Sequence, residues 1–333
     1  MSWDHRKTYL ETIEKARKSR ALLYVTGDRQ NQETIIGNDV FDLFVEQLDE
    51  IGVTKRISLI LHTRGGDGMT AWSLANLVRM FCDELEIIIP EKAHSAGTMI
   101  AMAANKIVMT KQATIGPIDP SINHPLAPSI AGAPASARAQ VSVEAVQGYI
   151  DLAKSVVGSD NREAFASIML ELAKHVHPLV LGESFRRRQQ TRNLAERLLA
   201  PNVKKPADRK KIIEFLSSDS GSHDYTLNRR EAASLGLAIE KCPADLYPTI
   251  SELYANYRDE MQLREPFIVQ RFPKDATTPY RNVRAMIEST AKASHFISEG
   301  QAVRQTGVQT APNGPPVPDV NKLEMLFEGW RTP

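Results

Sequence analysis

The first 110 residues change hydrophobic rhythm in a regular way. Residues 4–19 are densely charged, with Leu10, Ile13 and Ala16 as a thin apolar stripe at helical spacing. ALLYVTGD, residues 21–28, is a short apolar run ending in a Gly-Asp turn and predicts a strand. Helical periodicity returns over 38–52, where Val40, Phe41, Phe44, Val45 and Leu48 share a face and Gly52 is a stop signal. ISLILHT (57–63) and LEIIIP (85–90) are apolar on both faces, as buried parallel strands are. Between them, 69–82 carries Ala71, Leu74, Ala75 and Val78 at helical spacing. A helix over 96–104 and a strand over 106–110 complete the series. Strand and helix alternating in this way predict an α/β core with right-handed crossovers.

The pattern then changes. Residues 120–141 are rich in Pro, Ala and Ser with almost no charge, and predict an irregular loop or lid. Residues 142–200 predict roughly two helical segments, and 209–217 and 228–236 predict short helices around SDSGSHDYTL. From about 245 onward the expectation is a helical appendage with the Pro-rich stretch QTAPNGPPVP and a flexible tail. The expected division is therefore a core domain over 1–245 and an appendage over 246–333.

Composition narrows the function classes. Lys plus Arg number 41 against 40 for Asp plus Glu, so the surplus of positive charge expected of a general nucleic-acid binder is missing. Cys82 and Cys242 are far apart, which suits neither a disulfide framework nor a thiolate metal site and suggests a reducing cytoplasm. The charged N-terminus lacks the apolar segment of a signal peptide, and no apolar run approaches roughly 18 residues, so no spanning helix is expected.

Two segments carry candidate chemistry. Thr63-Arg64-Gly65-Gly66-Asp67-Gly68 lies between a buried strand and a helix, where glycines can turn backbone N–H groups toward an anion. It is neither a P-loop nor a dinucleotide fingerprint, and a glycine turn needing positive φ is the plainer explanation. In AHSAGTMIAMAA, residues 93–104, Ser95 stands between a strand and a helix with small neighbours. It is either an ordinary helix N-cap or a nucleophile at a strand-to-helix elbow.

Together, strand–Gly-Gly–helix followed by strand–Ser-Ala-Gly–helix resembles the Clp protease and crotonase superfamily. Arg64 stands where the Clp pattern has proline. ATIGPIDP (113–120) and the SHDY…EA..LGL pattern (222–237) resemble the serine dehydrogenase proteinases; signal peptide peptidase A is a looser likeness. The resemblance covers roughly 20–240. It implies a Clp/crotonase-like ββα spiral core, Ser95 as nucleophile, and Gly65 or Gly66 with Ala96 as oxyanion donors. It further implies a homo-oligomeric serine peptidase working through an acyl-enzyme, with no metal, nucleotide or other cofactor and no ATPase motif of its own. A separate unfoldase or membrane protein is a possible source of substrate.

The base is open. His5 lies in a charged helix, His62 in a buried strand, His94 beside Ser95, His175 and His177 in a helical region before Pro178, and His295 in the tail. Two constellations compete: Ser95-His223-Asp119, and Ser95-His124-Asp224 in the Clp order. The first is preferred because His223 and Asp119 both fall in segments that resemble the serine dehydrogenase branch. Turn-bracing or capping roles would explain either residue equally simply. Lys211 is a third option, which requires a desolvated amine. The alternatives to a hydrolase are a non-catalytic scaffold or binding subunit of the same fold, and a crotonase-type acyl-CoA enzyme. The basic run RRRQQTR (186–192) predicts a solvated helix face.

Overall fold

In the computed structural model, residues 3–134, 136–158, 161–219, 222, 224–273, 277–305 and 320–333 are described. The chain begins with α1 (Trp3–Arg17), β1 (Arg20–Thr26), α2 (Phe41–Ile51), β2 (Thr54–His62), α3 (Gly68–Met80) and β3 (Cys82–Ile89). Next come β4 (Lys92–Ala93), α4 (Ala96–Met102), β5 (Lys106–Met109), β6 (Thr114–Ile115), β7 (Ser121–Ile122) and β8 (Val141–Ser142). Helices α5 (Val143–Val157), α6 (Arg162–His175), α7 (Pro178–Leu199) and α8 (Pro206–Glu214) follow. The remainder is β9 (Leu227–Asn228), α9 (Arg229–Leu235), β10 (Ile239–Lys241), α10 (Tyr247–Glu260), β11 (Thr278–Ser289), β12 (Ala293–Gln305) and β13 (Val320–Arg331). These elements form two compact units, one of residues 1–115, 228–233 and 238–333, the other of 116–227 and 234–237.

The first unit is built on an eight-stranded sheet in the order β10-β5-β3-β2-β1-β11-β12-β13. β10 through β1 are parallel, and β11 to β13 add on antiparallel. Register aligns Leu23 with Ile60, Ile60 with Ile88, and Ile88 with Val108, so one row of aliphatic side chains crosses the sheet. Leu10 and Ile13 of α1 and Ile250, Leu253 and Tyr257 of α10 cover that row. The other side of β1 holds Tyr24, whose ring meets Phe44 of α2 edge-on at 5.1 Å. The doubly apolar strands read from the sequence follow from this two-sided covering.

In the second unit, the 120–141 segment is closed at its ends by the antiparallel pair β7–β8, with Ile122 opposite Val141. Its interior is otherwise largely irregular, and Ala127 and Val141 pack against Val180 of α7. Three helices occupy 142–200 where two are predicted from sequence. Gly158, at φ 77°, ends α5, and Pro178 opens α7 after His177 has capped it by accepting the Leu179 N–H at 3.2 Å. The basic run is not uniformly solvated. Arg188 donates to Glu144 at 3.0 Å and to Ser218 at 3.1 Å, and Arg192 donates to Ser218 at 2.7 Å.

The largest departure from expectation lies beyond 245. Among the described residues one α-helix forms there, α10, and then three long strands extend the main sheet instead of a helical appendage. Residues 246–333 also belong to the same compact unit as β1–β5. Their charges are matched across the strands: Arg281 and Arg331 both face Glu299 of the strand between theirs, at 3.9 and 2.8 Å, and Arg284 pairs with Glu328 two strands away at 2.5 Å. His295, expected in a tail, is buried in β12 and bonds Glu288 at 2.6 Å. The Pro-rich stretch 309–318 lies outside the described residues. Among the described residues no single helix is long and apolar enough to cross a membrane; α6 and α7 pass together on length and composition but meet at 104°.

Candidate active site

Ser95 follows β4 and precedes α4, in the first unit. Its backbone sits at φ 51°, ψ −115°, a left-handed conformation that costs a residue with a Cβ about 1–3 kcal/mol. Its side chain makes no capping hydrogen bond to α4, which removes the simplest reason for a serine there. Within its own unit's described residues the Oγ has no hydrogen-bond partner, and the side chain is half-buried. A strained strand-to-helix turn that presents an unengaged hydroxyl is the geometry of a nucleophile elbow.

The turn is held from below by backbone and hydroxyl contacts. Thr63 donates its N–H to Lys92 O and accepts the His94 N–H, both at 3.1 Å, which splices β4 onto the end of β2. The Thr98 hydroxyl donates to Ala93 O at 2.8 Å, and Gly97 N–H donates to His94 O at 2.8 Å. A Cβ on Gly97 would strike Thr63 Cγ2, so the closeness of this crossing requires glycine.

The Gly-Gly loop lies against the serine. A Cβ on Gly65 would come within 2.7 Å of Ser95 Cβ and 3.2 Å of Ala96 N. Both glycines have positive φ, 120° at Gly65 and 149° at Gly66. Gly65 N–H is already engaged, donating to Thr63 Oγ1 at 2.9 Å. Gly66 differs. It forms an isolated parallel bridge with Ile36, in which Ile36 N–H donates to Gly65 O at 2.8 Å and Asp67 N–H donates to Ile36 O at 2.9 Å. That bonding uses the groups on either side of Gly66 and leaves its own N–H without a partner among the described residues of the unit. Ala96 N–H, at the first position of α4, has no intrahelical acceptor and no other recorded partner in the unit. Two unengaged N–H groups therefore belong to the segments that meet at Ser95. Asp67 fixes the far end of the loop by capping α3, accepting from Thr70 N–H at 2.7 Å.

His94 turns away from Ser95 and pairs its Nε2 with Thr114 Oγ1 at 2.8 Å. Burial, then the positive charges of Lys92 and Arg64, push its pKa down to about 4. The folded protein therefore takes up this proton less readily than the unfolded chain. The stability contribution is fully present above the ordinary histidine value near 6.5 and is lost as pH falls toward 4. Melting temperature should fall between pH 6.5 and 4, and His94→Gln should flatten that part of the curve; parallel curves for the two proteins would refute it.

Asp119, His124, Lys211 and Asp224, proposed as base or acid, lie in the second unit. Asp119 is buried, with 7% of its surface exposed. His124 braces a turn, its Nδ1 accepting the Leu126 N–H at 3.0 Å. Asp224 is exposed and donates its backbone N–H to Ser222 Oγ at 3.2 Å. Lys211 is exposed on α8. His223 lies outside the described residues. His62 is a core histidine, 1% exposed, packed on Tyr254 and Tyr257. Among the described residues no three His, Cys, Asp or Glu side chains are grouped to hold a metal ion.

Three supporting residues escaped the sequence reading. Thr63 engages the Gly65 N–H, Thr114 pairs with His94, and Lys92 pairs with Asp28 at 2.6 Å at the root of the Ser95 segment. The only local signal was a hydroxyl immediately before Arg-Gly-Gly; the other two contacts join residues far apart in sequence.

Comparison with known proteins agrees with this architecture. Two uncharacterised proteins of Methanocaldococcus jannaschii are similar to the chain. MJ0137 is 30% identical over 201 residues, covering 60% of this chain and 59% of that protein. MJ1495 is 26% identical over 254 residues, covering 74% and 75%. The chain thus spans about three-fifths of the length of MJ0137. Among solved structures, ClpP1 from Listeria monocytogenes aligns with a TM-score of 0.37 and 13% identity over 71% of this chain and 99% of that one. A mutant of the 1510-N membrane-bound stomatin-specific protease with a substrate peptide aligns with a TM-score of 0.39 and 16% identity over 67% and 76%. Those structural likenesses are too loose to bear on the site. Residues 2–159 match the family model described as ClpP-like SDH-type serine proteinase, a description that fits the α/β core and its Gly-Gly and Ser-Ala-Gly turns.

Proposed function

We propose that the chain is a serine peptidase in which Ser95 Oγ attacks a peptide carbonyl. The observation that carries the reading is the left-handed backbone of Ser95 combined with its missing cap bond. Strain of this kind persists only where the surroundings enforce it, and a cap or a glycine would have served a purely structural turn better. A base takes the hydroxyl proton as the Oγ–C bond forms, and the carbonyl oxygen takes the electron pair. Collapse expels the amine, which receives that proton, and leaves an acyl-enzyme that water then hydrolyses. Gly66 N–H and Ala96 N–H are the proposed oxyanion donors. Gly65 then serves as the close-approach residue, because its N–H is committed to Thr63.

His223 with Asp119 remains the proposed base and orienting acid. The burial of Asp119 suits a carboxylate that orients a histidine, while the turn bond at His124 and the exposure of Asp224 and Lys211 suit ordinary structural roles. A crotonase-type enolate site would give no reason for a strained serine at this turn. Homo-oligomerisation belongs to the same proposal. The second unit's helices expose Leu152, Val156, Leu170, Leu179 and Phe185, each at least 59% accessible, as subunit-facing apolar surface would be. The free thiols of Cys82 and Cys242 suit a reducing, cytoplasmic setting.

A fluorophosphonate probe tests the nucleophile. Labelling should occur in the wild type and vanish in Ser95→Ala. His223→Ala and Asp119→Asn should slow it by about a hundredfold or more, with His124→Ala, Asp224→Asn and Lys211→Met near wild type. Persistent labelling of Ser95→Ala, or none in the wild type under any condition, would remove the peptidase reading and leave the binding subunit.

A further inference from the structure

A second site lies in the first unit, and apart from Arg29 its lining lies beyond the stretch that the family model matches. A groove of about 400 Å3 is lined by Arg29 together with residues from 262–273 and 280–282. One wall is aromatic. Phe267, Phe272 and Tyr280 lie with ring centroids 5.7 to 6.4 Å apart. The groove shares no residue with the Ser95 turn.

Arg29 gives the groove its chemistry. It is 9% exposed, and its guanidinium lies over Phe267 at 5.2 Å. Its Nε donates to Glu265 O and its Nη1 to Asn282 Oδ1, both at 3.0 Å, and both acceptors are neutral. Among the described residues these two bonds, from Nε and Nη1, are its side-chain hydrogen bonds, and neither goes to a carboxylate. Burial lowers its pKa, and the charge of Glu265 is the opposing influence. A sunken cation without a counter-ion is unfavourable unless an anion completes it, and a planar guanidinium is the group that recognises carboxylates best. Arg271 and Arg281 also line the groove; Arg281 is only loosely neutralised by Glu299 at 3.9 Å. Among the described lining residues, three cations stand against the single carboxylate of Glu265.

We propose that this groove binds a carboxylate carried on an apolar body, with the apolar part against Phe267, Phe272 and Tyr280 and the carboxylate on Arg29. The volume fits one aromatic or branched side chain plus its acid group. Two sources present that chemistry: a small free acid, and the C-terminal residue of a peptide. The proposal does not depend on Ser95 being a nucleophile.

Calorimetric titration of the full chain tests it with 3-phenylpropionate, its amide, and a pentapeptide ending in phenylalanine as free acid or amide. The acids should bind about tenfold or more tightly than the amides. Phe272→Ala and Arg271→Gln, both near the surface, should each weaken the acids several-fold with the melting temperature unchanged. Ser95→Ala should bind as the wild type does. A peptide acid tighter than phenylpropionate identifies chain ends as the ligand, and the reverse order identifies small acids. Equal binding of acid and amide overturns the proposal, as does no binding up to about 10 mM. Loss of affinity in Ser95→Ala also overturns it, because the probe would then occupy the serine site.

Discussion

Ser95→Gly should melt a few degrees above the wild type and take no fluorophosphonate label, whereas Ser95→Ala should lose the label with little gain in stability. The two variants delete the same hydroxyl and differ only in Cβ. At φ 51°, ψ −115° a Cβ is what makes the conformation costly, and alanine keeps it. Glycine relieves about 1–3 kcal/mol of strain and returns part of that through the greater freedom of the unfolded chain, leaving a net gain of about 1 kcal/mol. The missing cap bond matters here, because removing the hydroxyl forfeits no helix-terminal hydrogen bond. Differential scanning calorimetry beside gel-based labelling reads both quantities on one preparation. If glycine and alanine melted together, the turn would be unstrained, and the main argument for a functional serine would fail.

The sequence carried what was local. Strands β1, β2 and β3 were legible because covering on both faces leaves runs such as Ile-Ser-Leu-Ile-Leu with no polar side. Gly52 was legible as a stop because only a residue without Cβ takes φ 72° cheaply. The two turns of the candidate site could be recognised for the same reason: a close approach demands glycine, and glycine is visible. Strands β11 to β13 could not be read, because their charges imitate a solvated segment until a neighbouring strand supplies the partner. Arg284 meets Glu328 only across the sheet, 44 residues away. The reason to propose Gly66 over Gly65 was equally hidden. It rests on Thr63 Oγ1 and on a bridge to Ile36, thirty positions upstream, which no motif records.

That bridge makes Gly66 the most exacting backbone position of the site, and a series of alanines at the three glycines should expose it. At Gly66 a Cβ would be driven against the Ile36 backbone, 2.5 Å from its nitrogen, at φ 149°. Backbone held by hydrogen bonds on both sides of a bridge cannot move aside as a flexible side chain can, and Ile36 itself is fully buried. Gly66→Ala should therefore cost about 3 kcal/mol or more and abolish labelling, since the bridge that directs the Gly66 N–H is the contact that breaks. At Gly65 the obstacle is Ser95 Cβ at 2.7 Å, so Gly65→Ala should displace the serine itself and lose labelling as completely. Gly68 is the control. A Cβ there meets only the Met99 side chain at 3.3 Å, at the first position of α3, where alanine favours the helix. Gly68→Ala should fold and label within about a factor of three of the wild type, a change below about 1 kcal/mol. A Gly66→Ala protein with wild-type melting and labelling would show that the Ile36 bridge does not hold the loop, and Gly66 N–H would lose its assignment as an oxyanion donor.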